Sequence, residues 1–146
     1  MLINKQSMPL VAMEFMNEVH GEDVEIINHV FELILTYENE PTESNKSNVN
    51  QKYREWVEHT VAHFRREEAM MVEKSFPPYP VHKGEHDNAL LIMDGVFNAW
   101  QQEDDIQILK RYFVEELPRW LVTHIQTMDT VTAMFFKTGL SPCAMH

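Results

Sequence analysis

The 146 residues provide material for one domain with a single continuous core, and too little for two of comfortable size. A formal charge of −11, from 23 acidic against 12 basic residues, repels nucleic-acid backbones and anionic membrane surfaces, so neither is an expected partner. The single cysteine, Cys143, excludes an internal disulfide and any cysteine-built zinc or iron–sulfur site.

Only four glycines occur and β-forming runs are missing, while Glu, Gln, Leu, Met and Ala recur, so the composition is helical. The opening MLINKQSMPLVAM has neither a sustained apolar stretch nor a small-residue cleavage site, and no run reaches membrane-spanning length; a cytoplasmic protein is expected. One domain over 1–146 is expected, with an arm over about 1–12 and a tail over about 140–146.

From about Met13 to Tyr37, Met16, His20, Val24, Ile27, Phe31 and Ile34 recur at steps of three and four, which predicts a first helix with His20 on its buried stripe. The polar run from Asn39 to Asn50 reads as a loop, with Ser47 or Asn48 capping a second helix over about Val49 to Lys74. On that helix Tyr53, Trp56, Thr60, His63, Glu67 and Met70 stack along one side. Pro77, Pro78 and Pro80 end it, and Pro80 suits the first turn of a third helix, about Val81 to Gln102, whose stripe begins with His82 and His86. The acidic break Glu103-Asp104-Asp105 suits the start of a fourth helix ending at Gly139, with Pro118 expected to kink it. Four helices joined by modest loops most simply give an all-α, antiparallel up-and-down four-helix bundle.

Each helix carries ligand-type residues on the face that should be buried. Taken singly, His63 with Glu67 reads as a surface ion pair and His82 with His86 as a solvated face. Together they do not, because an apolar core that collects seven unpaired histidines and carboxylates is costly unless they bind something. Residues four apart differ by about 40° around a helix and roughly 6 Å along it, so both can face one metal or two adjacent ones. Asp129, five after His124, lies about 140° around an ideal helix from it and would have to reach sideways. Glu68 lacks the four-residue relation to His63 and is expected to face solvent; His59, His29 and His146 fall outside the set, and the methionines read as core.

The set His20, His63-x3-Glu67, His82-x3-His86 and His124-x4-Asp129 resembles the H…HxxxE…HxxxH…HxxxxD pattern of the hemerythrin family. The segments MNEVH, HFRREEAMM and WLVTHIQTMD are similar to its first, second and fourth helices, so the resemblance runs from about Met16 to Phe136. It implies two iron ions (Fe2+/Fe3+) with an oxo or hydroxo bridge. His82, His86 and His124 would ligate one iron, His20 and His63 the other, and Glu67 and Asp129 would bridge both. Trp120, Leu121 and Ile125 would wall a pocket for dioxygen.

Five neutral imidazoles beside only two carboxylates favour ferrous iron, which points to binding dioxygen over oxidation chemistry. The expected function is therefore reversible dioxygen binding for storage, delivery or sensing, and not catalysis. The alternative is a di-iron enzyme acting on peroxide, nitric oxide or a small oxidisable substrate. A sensing role would need a separate redox or signalling partner. The segment MPLVAMEF stands where bacterial relatives usually show a tryptophan-led stretch, which leaves open how the entrance to the first helix is covered.

Overall fold

A computed structural model describes residues 2–139, all of them helix, turn or connection, with no strand among the described residues. Three long helices, α1 (Glu14–Asn39), α2 (Glu43–Glu73) and α3 (Tyr79–Glu103), are followed by α4 (Ile106–Arg111), α5 (Leu117–His124) and α6 (Thr130–Thr138), which form one fourth rod. Successive rods pack side by side and the fourth returns against α1, closing the expected bundle. No helix among the described residues is long and apolar enough to cross a membrane. Cys143, His146 and the expected tail lie outside the described residues.

The first connection is much shorter than the sequence implied. In place of a loop over Asn39 to Asn50, α2 begins at Glu43, six residues before Val49. Thr42 is the reason: its side-chain oxygen accepts from the Asn45 backbone N–H at 3.1 Å, and Glu43 places a negative charge at the positive helix end. The polar residues that follow sit on exposed helix, where an apolar period is not required. The other boundaries lie within a few residues of expectation. Pro80 occupies the first turn of α3, Asp105 caps α4 by accepting from the Gln107 N–H at 3.0 Å, and Gly139 ends α6 with φ +74°.

The fourth rod contains two π-helical turns, Tyr112–Glu116 and Ile125–Asp129. Each closes with a five-residue hydrogen bond, Leu117 N–H to the Tyr112 carbonyl and Thr130 N–H to the Ile125 carbonyl. Pro118 stands one residue beyond the first of these turns, after Leu117, so the interruption expected there takes the form of a widened turn.

The arm is held along α1 by two asparagines acting as two-way clamps. The Asn28 side chain accepts from Ile3 N–H at 2.8 Å and donates to the Ile3 carbonyl at 2.9 Å, and Asn17 does the same for Val11 at 2.9 and 3.0 Å. Ile3 and Met8 are thereby buried, which answers how the first helix is covered.

Two apolar clusters make up the core. The larger contains Ile34, Tyr53, Trp56, Trp100, Leu109 and Phe113; the smaller contains Met16, Met71, Phe76, Ala133 and Phe136. The interval between them along every rod is where the polar ligand-type residues fall: His20 after Met16, Glu67 before Met71, His82 and His86 after Phe76, and Asp129 before Ala133.

Candidate metal centre

Helix spacing brings the seven residues together. His63 and Glu67 project from α2, His82 and His86 from α3, His20 from α1, and His124 and Asp129 from the two ends of the second π-helical turn. None of the seven is more than 4% exposed. They form two groups, each with ligand atoms within 4.8 Å of one another: His82, His86, His124 and Asp129 in one, His20, His63 and Glu67 in the other.

The two carboxylates lie between these groups. Glu67 places Oε2 against His63 Nε2, while its Oε1 is 3.6 Å from His82 Nε2 and 3.8 Å from His86 Nε2. Asp129 places Oδ2 2.9 Å from His20 Nε2, and its Oδ1 3.2 Å from the Nε2 atoms of both His82 and His124. Asp129 reaches His124 because the backbone between them is π-helical: the wider turn removes much of the angular separation that an α-helix would impose. The backbone, not a sideways side chain, solves the five-residue spacing.

The outer nitrogens of the imidazoles are also engaged. Nδ1 of His63 bonds to Asp23 at 3.1 Å, that of His86 to Glu68 at 2.9 Å, that of His124 to Glu85 at 2.6 Å, and that of His82 to the Thr132 hydroxyl at 2.8 Å. Such contacts fix the tautomer that leaves Nε2 free to ligate, and carboxylates make the imidazole more basic. Glu68 is therefore not solvent-facing: it is 5% exposed and tied to Arg65 at 3.0 Å. One residue round the helix from Glu67, it turns toward α3 while Glu67 faces the bundle axis. Asp23, Glu85 and Thr132 gave no sequence signal, since no fixed spacing links them to their imidazoles. His59 stays outside both groups, 3.3 Å from Asp23, and His29 is exposed.

Burial alone would lower His63, but its hydrogen bonds to Asp23 and Glu67 outweigh this and raise it to about 10. Burial likewise opposes protonation of His124, and the charge of Asp129 beside it together with the bond to Glu85 lifts it to about 9. His86, buried among His82 and His124, drops to about 2. Burial and the neighbouring Asp129 raise Glu67, whereas Asp129 is held well below the usual range because His124 and further imidazole bonds overcome its own burial.

Protons thus supply positive charge to the cluster, yet incompletely. Glu67 Oε1, His86 Nε2, Asp129 Oδ1 and His20 Nδ1 are buried without a hydrogen-bond partner. The first three belong to the atoms that face one another across the two groups, and buried polar atoms of this kind are rarely left unmatched. The imidazole and carboxylate donors suit a borderline cation such as iron or zinc, so the residues fit a metal.

Ring packing stiffens the site. Phe64 stacks on His86 with centroids 3.8 Å apart, and Trp120 stacks on His124 at 4.6 Å. A cavity of about 220 Å³ adjoins the centre, lined by Trp120 and Leu121 together with His20, His63 and His124. Ile125, the third residue implied as a pocket wall, is fully buried in the larger apolar cluster and does not line it.

Residues 12–135 match the family model of the Hemerythrin HHE cation binding domain. The chain is 29% identical over 133 residues to a bacteriohemerythrin of Aquifex aeolicus, covering 91% of this chain and 96% of that protein. Over 74 residues it is 38% identical to a bacteriohemerythrin of Ralstonia nicotianae, covering 51% of this chain and 53% of that one. No solved structure matches it.

Proposed function

From the premise that this chain belongs to the hemerythrin family, we propose that it is a non-haem di-iron protein that binds dioxygen reversibly, for storage, delivery or sensing. His82, His86 and His124 hold one iron in this reading, His20 and His63 the other, and Glu67 and Asp129 span both. The observation that carries it is that each of these two carboxylates sets one oxygen against each imidazole group. When bound, a pair of irons would supply the electrons that dioxygen takes up and returns.

The chain's own residues have three tasks. Asp23, Glu68, Glu85 and Thr132 hold four imidazoles in the orientation that presents Nε2. Phe64 and Trp120 fix the planes of His86 and His124 by stacking. The apolar wall around the cavity excludes water, which limits loss of a bound diatomic molecule to protons and solvent.

Metal analysis followed by anaerobic reduction and titration with oxygen tests this reading. Two irons per chain are expected, with visible absorption that grows in oxygen and is lost under vacuum. Iron that oxidises irreversibly, with no oxygen-dependent absorption that can be reversed, overturns it. One observation favours a second reading, a di-iron enzyme acting on peroxide, nitric oxide or a small oxidisable substrate: buried Asp23 and Glu68 and part-buried Glu85 make three ligands more electron-donating. Steady consumption of peroxide or nitric oxide well above that of free iron would establish it.

A further inference from the structure

The cavity beside the centre, about 220 Å³, is far larger than one diatomic molecule needs. A water-sized molecule takes roughly 30 Å³, and an apolar protein cavity of about 150 Å³ stays dry and accepts a benzene ring. The wall is carbon over most of its extent, with Ile27, Trp56, Phe64, Met93, Leu117 and Trp120 among its lining. The Thr60 hydroxyl in that lining is already committed to the Trp56 carbonyl at 2.9 Å, and Asp23 has Oδ2 on His63 and Oδ1 3.3 Å from His59 Nε2. Beyond these, the polar side chains of the lining are Tyr112, the exposed Glu116 and the ligand-type residues of the metal centre. The cavity reaches the surface beside Ile92, which is 41% exposed, and Glu116.

We propose that this cavity is a binding site for a second, uncharged apolar molecule the size of one aromatic ring, seated beside the metal centre. Three features select that class. The volume admits a ring and excludes much larger bodies. Trp56, Phe64 and Trp120 offer ring faces and edges, and aromatic pairs gain beyond the area they bury. Anions meet the buried carboxylate Asp129 and no lysine or arginine in the lining, and a charged ligand would have to shed its water into carbon. The inference rests on the di-iron reading only for what lies next to the ligand; the shape and polarity of the cavity stand without it. Its consequence is that dioxygen and an organic molecule share one entrance, so the ring-sized ligand sets how much free space dioxygen meets.

Toluene is the probe, titrated calorimetrically into the iron-loaded full chain whose iron content has been measured. One saturable site per chain is expected, with a dissociation constant of about 1 mM or tighter, a modest efficiency for seven carbons. Ala89→Phe, which projects a ring into the cavity, and Ile92→Trp, which crowds its mouth from an exposed position, should each weaken binding at least tenfold. Ile92→Trp leaves the interior packing alone, so it decides the matter if Ala89→Phe fails to fold. Absence of saturable heat, or toluene affinity unchanged in the folded variants, overturns the proposal. Protein that holds two irons yet takes no toluene loses this inference and keeps the di-iron reading. Protein that takes toluene but holds no iron does the reverse.

Discussion

The core of this bundle is built in two ways, and the contrast separates what folds the chain from what it is for. Around Tyr53, Trp56, Trp100 and Phe113 the interior is aromatic, and two of its polar atoms are bonded: the Tyr53 hydroxyl donates to the Met93 carbonyl at 2.7 Å and Trp100 Nε1 to Asn50 at 2.8 Å. Farther along the same helices the interior is seven histidines and carboxylates, with Glu67 Oε1, His86 Nε2 and Asp129 Oδ1 unmatched. The aromatic layer stabilises the fold with nothing added. The polar layer opposes folding unless cations occupy it, because buried charge without compensation is expensive.

Metal removal should break this contrast most strongly. Two sites each filled at a thousandfold excess over their dissociation constants contribute about 8 kcal/mol together, about 4 each. Urea melts with and without chelator should therefore differ by several molar in midpoint. The metal-free chain should also show a pH profile written by the polar layer. His63 and His124 bind protons more tightly folded than unfolded, so their contribution is full below about 6.5 and fades as pH rises through about 9 to 10. His86 acts oppositely: held neutral when folded, it costs stability as pH falls below about 6.5 toward its folded value of about 2. Because metal must displace the protons on His63 and His124, iron affinity should rise with pH over the range where metal-free stability falls. Parallel chemical melts and metal titrations between pH 6 and 10 would show the two curves crossing, and curves that move together would refute the protonation pattern.

Next in size is Trp100→Ala in the aromatic layer. Trp100 is fully buried, packs edge-on to Tyr37 at 5.5 Å and lies beneath Lys46. Its loss leaves a cavity and removes one of the two donors to Asn50 Oδ1, with Gln101 remaining at 3.0 Å, costing about 3 to 5 kcal/mol. Iron stoichiometry should stay at two. If iron binding is lost while the chain remains folded, the two layers are not separable.

Glu68→Gln probes the polar layer from outside the ligand set. The amide can still contact His86 Nδ1 but no longer supplies charge, so iron affinity should fall about 10- to 100-fold while helix content is unchanged. Arg65→Ala, which removes only an exposed partner of Glu68, should change it far less. This pair also shows where sequence reading reached its limit. The seven ligand-type residues were legible because helical spacing put polar groups where apolar ones belonged, and the family pattern sorted them. Glu68 was not, because α2 is buried on two sides, toward the bundle axis and toward α3, and a single-stripe picture assigns the second side to solvent. Asp23 and Glu85 were hidden among 23 acidic residues with no spacing to mark them. The π-helical turn before Asp129 escaped for a related reason: a one-residue slip, from a four-residue to a five-residue hydrogen bond, has no residue signature and is favourable only when the tertiary cluster exists.

The smallest effect concerns the start of α2, which the sequence placed too late. Thr42→Ala removes the side-chain acceptor of the Asn45 N–H and should cost about 1 kcal/mol. Ser47→Ala should cost almost nothing, since Ser47 is an exposed residue inside the helix and not its cap. Thr42 lies 21 residues before His63, about 30 Å along the helix axis at 1.5 Å per residue. Sites so far apart, with no shared partner, contribute additively. Urea melts of Thr42→Ala should therefore shift by the same free energy in the metal-free and the iron-loaded chain. A cost that appears in one form and vanishes in the other would mean that the metal layer governs order at the far end of α2, and that the aromatic layer between them transmits it instead of insulating the two.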